Sequence, residues 1–257
     1  MQYVRLSMLL LASCGSDLST FFPNGARGDP DAALPEAAIT GQQIDAAARR
    51  CAPNFTGVLR DFHDTHPDFE KFIGDDRGMV LPQLGPDEKP VYASATTTPT
   101  STGKTNFDQW YRDVPSVNVS IPFVLPVQKQ ADGSLLYESS LFFPLDGAGF
   151  GNEGRVHNFH FTFELHTQFA YAGGEMFTFT GDDDVWVFIN RNLAVDIGGT
   201  HPAESVTISL DTLSAQLGIV KGNTYDFAIF QAERHTVDSS FRMQTSIEFT
   251  SCDPNVP

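Results

Sequence analysis

The sequence has few cationic side chains, few cysteines and no long apolar run. Its 257 residues include 16 Lys plus Arg against 32 Asp plus Glu, which gives a formal net charge of -16. A surface of that charge repels the phosphates of nucleic acids and anionic lipids, so nucleic acid is excluded as a partner. The same charge suits divalent cations and neutral polymers such as polysaccharides, although it also serves simply to keep an exported protein soluble.

No stretch approaches the roughly 20 apolar residues of a membrane-spanning helix, and only the N-terminus resembles a targeting segment. Residues 1–13 combine Arg5 with a short apolar run, and the sequence LASC that ends at Cys14 resembles a lipobox. We therefore expect a lipoprotein signal peptide over 1–13, lipidation of Cys14 and a flexible linker over 14–50. A plain secretory signal and a mis-assigned start codon are the alternatives. We expect the protein to lie at the outer membrane or cell surface, where only the lipid anchor contacts the membrane, or to be secreted.

The chain has three cysteines. If Cys14 carries lipid, Cys51 and Cys252 remain. They bracket the part of the sequence whose apolar pattern is typical of a folded domain. A disulfide between them would close a long loop and contribute about 5 kcal/mol in an oxidising compartment. Two unpaired thiols are the alternative. We predict one domain over residues 51–252 and a tail over 253–257.

Short apolar runs separated by turn residues fill most of this domain, a pattern typical of an antiparallel sandwich or jelly roll. From His157 to His166 apolar and polar side chains alternate, which predicts a strand with one buried face. Residues 185–189 are apolar on both faces and predict a central strand covered on both sides. The sequence therefore predicts an all-β, antiparallel β-sandwich or jelly roll with short peripheral helices.

Turn and cap signals give further local predictions. The Asp-Gly pair at 132–133 predicts a hairpin that joins strands at 119–127 and 134–143. Residues 211–217 predict a short connecting helix that Asp211 caps.

The sharpest feature is a run of three aspartates, Asp182, Asp183 and Asp184, that follows a glycine at a turn between two strands. Three adjacent carboxylates repel one another, and a protein tolerates them best in water or around a cation. Calcium takes 6 to 8 oxygen ligands, often from carboxylates on loops. Because the spacing is not that of an EF-hand, further ligands would have to come from other loops. An acidic hairpin tip without a metal is the alternative.

Three other loops offer candidate ligand-binding side chains, since polar loops between strong strands are often functional. The loop at 146–154 is rich in glycine but lacks the Gly-Lys-Ser/Thr ending of a phosphate-binding loop. The loops at 196–201 and 232–238 each follow an apolar strand. The candidate residues are Asp146, Asn152, Asp196, His201, Glu233, His235 and Asp238.

Catalytic and zinc signatures are missing from the sequence. The seven histidines include no HExxH pattern, no paired CxxC accompanies them, and no G-x-S-x-G elbow is present. A glycosidase needs only two carboxylates, and no pair among the 32 acids stands out. We therefore expect a protein that is not an enzyme, with a glycoside hydrolase as the minor alternative.

Three segments at 142–151, 157–201 and 225–246 resemble the fibro-slime domain, above all in the motifs GDDDVWVFIN and AERHT. The upstream pieces RDF, HPDFE and FDQWYRDVP fit the same resemblance, which covers roughly 51–252. The fibro-slime domain is similar to the protective-antigen-type β-sandwich of flocculin-like lectins. In those lectins two consecutive aspartates, joined by a cis peptide, bind calcium, and the calcium binds vicinal sugar hydroxyls.

The resemblance implies that Asp182 and Asp183 are the calcium-binding pair. Asp184 and Arg191 both stand where glycine is usual in the wider group. We predict Asp184 as a third metal ligand, and the alternative is that it narrows the site so that no sugar enters. The expected function is an exported, surface-tethered module for calcium-dependent recognition of carbohydrate or an extracellular matrix polymer. Trp186 and Phe150 are candidate aromatic contacts, although a core position is favoured for Trp186. The alternative is a calcium-stabilised structural or matrix module that binds a surface protein and no sugar.

Overall fold

The computed structural model describes residues 54–251. The predicted signal peptide, the linker and the three cysteines lie outside these residues, as do the lipidation and disulfide predictions that rest on them. The described part of the chain contains no helix that is long and apolar enough to cross a membrane. Its strands and helices are β1 (Asn54–Phe62), β2 (Gly74–Asp75), α1 (Lys104–Phe107), β3 (Asn118–Pro126), β4 (Gln128–Lys129), β5 (Leu135–Ser139), β6 (Phe161–Ala170), β7 (Met176–Gly181), β8 (Asp184–Ile189), β9 (Asn192–Ile197), β10 (Gly199–Thr200), β11 (Glu204–Ser209), α2 (Leu210–Leu217), β12 (Thr224–Glu233), β13 (Phe241–Thr245) and β14 (Glu248–Ser251).

Two antiparallel sheets form the body of the domain. The larger sheet has seven strands in the order β3-β1-β6-β12-β8-β9, with β14 paired to β6. The smaller sheet has five strands in the order β11-β7-β13-β5-β4. The predicted all-β antiparallel sandwich with short helices is therefore confirmed.

Aromatic side chains fill the space between the sheets. The period of two along each strand sends alternate side chains inward, and Phe241 of β13 lies at the centre of the resulting core. Its ring centroid is 4.9 Å from that of Phe179 and 5.9 Å from that of Phe163 across the sandwich. Both of these contacts are edge-to-face, the arrangement that aromatic quadrupoles favour.

The outer face of the larger sheet is also buried at β8 and β12, beneath residues 63–115, which we call the covering segment. Trp110 and Phe107 of this segment pack on Trp186 of β8, with ring centroids 6.2 and 5.9 Å from the Trp186 ring. The strand predicted to be apolar on both faces is confirmed as a central strand, because β8 separates two cores. Trp186 is wholly buried and is not a surface contact for a ligand.

The covering segment also corrects the prediction for 157–166. The strand begins at Phe161, and its polar face is buried rather than exposed to solvent. Alternation in the sequence cannot show a third layer, and here that layer covers the polar face and supplies Lys89 as one of its ionic partners. Glu164 of β6 forms ion pairs with Arg60 of β1 and with Lys89. Its Oε1 accepts a hydrogen bond from Nε2 of His166 at 2.7 Å.

Two local predictions also differ from the structure. The Asp-Gly turn at 132–133 joins only the short strands β4 and β5, while β3 pairs with β1 in the larger sheet. Between Pro126 and Gln128 the chain passes from the larger sheet to the smaller one, so β3 and β4 lie in different sheets. Helix α2 begins at Leu210 after Ser209, and Asp211 does not cap it. The Asp211 carboxylate instead accepts hydrogen bonds from the Tyr171 hydroxyl at 2.6 Å and the Gly174 N–H at 3.1 Å.

Arg191 occupies a tight turn between β8 and β9, where it has a φ of 64°. A glycine would adopt this left-handed conformation without steric cost. The arginine side chain makes contacts that glycine cannot make. Its guanidinium donates to a Glu88 oxygen at 2.7 Å and to the Gly85 carbonyl, so the turn holds the covering segment against the end of the sheet.

The core makes a direct prediction about stability. Replacing Phe241 by Ala should lower the free energy of unfolding by about 3–5 kcal/mol, because the cavity left between the sheets cannot fully close. Urea unfolding followed by circular dichroism measures the loss. Val237→Ala, at a side chain that is 81% exposed, is the matched control and should change stability by less than about 0.5 kcal/mol. Equal losses in both variants would contradict the assignment of Phe241 to the centre of the core.

Candidate functional site

The aspartate run lies where the chain passes from one sheet to the other. β7 ends at Gly181 in the smaller sheet and β8 begins at Asp184 in the larger one, so Asp182 and Asp183 form the crossing. Asp183 has a φ of 54°, a conformation that aspartate adopts more readily than most residues. The described residues contain no cis peptide bond, so the cis Asp182–Asp183 bond implied by the family resemblance is not found.

The first two aspartates fix the loop that follows β12. Oδ2 of Asp183 accepts hydrogen bonds from the backbone N–H groups of Arg234 at 2.7 Å and His235 at 3.0 Å. Oδ1 of Asp182 accepts from the N–H of Ser240 at 2.6 Å. Carboxylates from one crossing therefore hold both ends of the 234–240 loop, which begins within the AERHT motif.

Asp184 points to the other face of the larger sheet. It is 0% exposed, and its Oδ2 accepts a hydrogen bond from Nε of Arg234, also 0% exposed, at 2.6 Å. Its Oδ1 accepts from the N–H of Gly199 at 2.7 Å. Asp184 is the first residue of β8 and faces the covering segment through its contact with Arg234, whereas Asp182 and Asp183 precede the strand. The structure therefore separates Asp184 from the two aspartates that sequence analysis had grouped with it as metal ligands.

Arg234 was not singled out from the sequence, yet it connects three parts of the fold. Its guanidinium donates to the carbonyls of Asp68 at 3.0 Å and Thr100 at 2.6 Å in the covering segment. Its Cζ lies 4.6 Å from the ring centroid of Trp110, a cation–π contact. With Asp184 as its ionic partner, this fully buried cation has its charge balanced and several of its donors satisfied.

Glu233 adds another buried carboxyl group beside the crossing. It is wholly buried, and neither of its oxygens has a hydrogen-bond partner among the described residues. Burial, and then the charges of Asp183 and Asp182, raise the pKa of Glu233 well above its usual value. Burial also raises the pKa of Asp183 to about 8, although the Arg234 charge opposes the shift, and burial raises the pKa of Asp182. The three carboxyls therefore have an environment that favours added positive charge or bound protons.

A pocket of about 420 Å³ opens above Asp182 and Asp183. It brings together five of the residues predicted from the sequence, namely Asp182, Asp183, His201, His235 and Asp238. Its other lining residues are Ile73, Ser140, Thr200, Pro202, Ala203, Thr236, Val237 and Ser240. Ile73 and Val237 are 75% and 81% exposed, so apolar surface lies beside the acidic groups.

The remaining predicted residues do not line this pocket. Asp146 accepts from the N–H of Asn158 at 2.8 Å, and Asn152 accepts from the N–H of Gly147 at 2.8 Å, so both close their own glycine-rich loop. Asp196 accepts from Nε1 of Trp186 at 2.9 Å. Phe150 stacks on His63 with a centroid distance of 3.8 Å, away from the pocket lining.

A further group of potential metal ligands lies at the edge of the pocket. One ligand atom each from Asp75, His201 and Glu204 falls within 4.8 Å of the others. Only His201 was a candidate from the sequence. Asp75 and Glu204 come from separate strands with no motif spacing, so no local pattern identifies them.

The two neighbouring aspartates should respond in opposite ways to the same substitution. In chelator at neutral pH, Asp184→Asn should cost about 3–5 kcal/mol of unfolding free energy, because it leaves Arg234 as an unpaired buried charge. Asp183→Asn should change stability by less than about 1 kcal/mol or raise it, because an amide oxygen still accepts both N–H groups and one of three crowded carboxyls is removed. Urea unfolding of both variants measures the difference. Equal losses would contradict the division of roles.

Comparison with known proteins shows that part of the chain is similar to a described family. Residues 152–255 match the PA14 domain model. Protein psiD of Dictyostelium discoideum is 35% identical over 97% of this chain and 47% of its own length. Protein psiC of the same organism is 37% identical over 68% of this chain and 36% of its own length. The chain thus spans less than half the length of these relatives.

Solved structures give weaker likenesses. The PA14 domain of the MpAFP antifreeze protein covers 80% of this chain and 87% of its own, with 11% identity and a TM-score of 0.32. A PA14 sugar-binding domain from an RTX adhesin covers 44% of this chain and 70% of its own, with 8% identity and a TM-score of 0.28. Residues 152–255 are thus similar to a PA14 domain, and the chain is related in sequence to the psi proteins of Dictyostelium discoideum.

Proposed function

We propose that this domain is a calcium-dependent carbohydrate-binding or adhesion module of the fibro-slime type, and that it is not an enzyme. The observation that carries the proposal is the set of carboxyls at and beneath the pocket, Asp182, Asp183 and Glu233. The fold's own buried cation, Arg234, is ion-paired with Asp184 on the other face of the sheet, and among the residues that the structure describes these three carboxyls form no ion pair.

The donor set fits calcium. Asp182 and Asp183 line the pocket, and Asp238 of the facing loop adds a third lining carboxylate. Calcium favours hard oxygen ligands from several loops, and a divalent charge would lower the pKa values that burial raises. Glu233 lies beneath, where neither of its oxygens has a hydrogen-bond partner among the described residues, so a cation bound nearby would favour its ionised form. Bound calcium would supply direct coordination of a ligand's vicinal hydroxyls.

The pocket walls suit a neutral sugar. Its volume of about 420 Å³ lies within the roughly 300–1,000 Å³ usual for small-molecule sites. The exposed side chains of Ile73 and Val237 offer apolar surface for the C–H face of a sugar ring, and the hydroxyls of Ser140 and Thr236 offer hydrogen bonds. An anionic partner is disfavoured by the net charge of -16.

A specific observation also favours a second function. Asp182 and Asp183 already hold the 234–240 loop through three backbone N–H groups. A cation there would rigidify the loop whether or not a sugar follows. A calcium-stabilised matrix module that binds a surface protein is therefore the alternative.

The same proposal has two further parts: the domain does not catalyse a reaction, and the protein is exported. Glu233, whose pKa is raised well above its usual value, does not line the pocket, so it is not in place to protonate a bound glycoside. Export with a lipid on Cys14, or secretion, rests on the N-terminal sequence alone.

The test is glycan-array binding in calcium and in chelator, with thermal melts in the same buffers. The parent should bind glycan and gain melting temperature only with calcium, because the ion completes both the loop and the ligand site. Asp183→Asn should lose both effects. Asp132→Asn, an exposed aspartate outside the pocket lining, is the matched control and should keep both.

Two results would change the account. A calcium-dependent melt without glycan binding would support the matrix module over the lectin. Glycan binding that is unchanged by chelator or by Asp183→Asn would overturn the role of the aspartate crossing.

A further inference from the structure

The group formed by Asp75, His201 and Glu204 comes from other strands than the aspartate crossing. Asp75 lies in β2, which pairs with β10 through Asp75 and Gly199. His201 directly follows β10, and Glu204 begins β11, where it pairs with Gly181 of β7. Each side chain is therefore held by a strand or a strand end, and their ligand atoms lie within 4.8 Å of one another.

One ring nitrogen of His201 has a hydrogen-bond partner among the described residues, and the other has none. Its Nδ1 lies 3.0 Å from the carbonyl of Pro202. A carbonyl only accepts hydrogen bonds, so Nδ1 carries the proton and Nε2 carries the lone pair. The residue is 8% exposed, and its Nε2 is a buried atom with no partner among the described residues. Buried acceptors are rarely left unpaired in folded proteins.

This arrangement is the one in which a histidine ligates a metal: one ring N–H donates to a carbonyl, and the other nitrogen points its lone pair at the ion. We propose that Asp75, His201 and Glu204 form a binding site for a divalent transition ion, zinc being the best match. The ligands would be Nε2 of His201 and one carboxylate oxygen from each of the two acids. Water or a ligand from the neighbouring pocket, which His201 also lines, would take the fourth position.

The ligand chemistry distinguishes this site from the calcium proposed nearby. Zinc accepts imidazole nitrogen and carboxylate oxygen in a four-coordinate shell, whereas calcium favours six or more oxygens. The sequence carries no HExxH or paired CxxC, and the structure shows why such motifs are not needed. The three ligands come from three segments that the β2–β10 and β7–β11 pairings bring together. The inference does not depend on the calcium site.

Arg77 is the natural competitor for this ion. Its guanidinium forms an ion pair with Glu204, and its side chain is 50% exposed. Exposed ion pairs contribute little stability, so an incoming ion displaces the guanidinium at small cost. Arg77 also raises the positive potential at the site. Removing it should therefore strengthen binding of the ion, a result that a purely structural role for the three ligands would not produce.

The experiment is calorimetric titration of zinc chloride into the metal-free full chain and its variants. The parent should bind one zinc at this site. Asp75→Asn and Glu204→Gln should each weaken that binding tenfold or more, and Arg77→Ala should tighten it. Neither acid lines the pocket, so both variants should keep the calcium response of the parent.

Matched controls separate this site from other zinc ligands in the chain. Asp183→Asn should leave zinc affinity unchanged, and a thermal melt in chelator confirms that each variant is folded. Zinc binding in the Asp75 and Glu204 variants as tight as in the parent would overturn the proposal, as would an Arg77→Ala variant that binds no tighter. If calcium binding fails while these zinc results hold, only the proposed function is contradicted.

Discussion

The ion pair between Arg234 and Asp184 is the interaction on which the functional end of this domain depends. It is buried between the larger sheet and the covering segment, where an unpaired charge would be strongly destabilising. The same guanidinium binds carbonyls of Asp68 and Thr100 and lies over Trp110. One side chain thus attaches the covering segment to the end of β12. The backbone on either side of it is thereby placed where Asp183 accepts its N–H groups.

That pairing decides what the neighbouring acids do. Asp184 is neutralised within the protein, whereas Asp182 and Asp183 are turned toward the pocket and Glu233 lies beneath them. Crowded, buried carboxyls either bind protons or bind a cation. The raised pKa values of all three follow from burial first and, for Glu233, from its acidic neighbours next. A pocket with such a floor and with apolar surface at Ile73 and Val237 is suited to a metal-assisted ligand with few charges of its own.

Local sequence patterns predict much of this organisation, and the rest depends on contacts between segments that are distant in the sequence. Period-two patterns and turn residues predict the antiparallel sandwich, and the doubly apolar run at 185–189 predicts the strand between two cores. The same patterns do not show the covering segment, which buries the polar face of β6. The aspartate run identifies the crossing, but only strand geometry shows that Asp184 faces away. Arg234 and Glu204 carry no local signal, because their partners lie in separate strands and loops.

The central claim is that Asp182 and Asp183 form a cation site while Asp184 belongs to the fold. Calorimetric titration of calcium into metal-free protein tests it most directly. The account predicts binding of one ion, with a dissociation constant on the order of 10⁻⁴–10⁻³ M, typical of extracellular calcium modules. Binding should be lost in both Asp182→Asn and Asp183→Asn, and it should persist in Asp146→Asn, whose carboxylate lies in another loop. Calcium heats that are absent from the parent, or unchanged in the Asp182 and Asp183 variants, would contradict the claim.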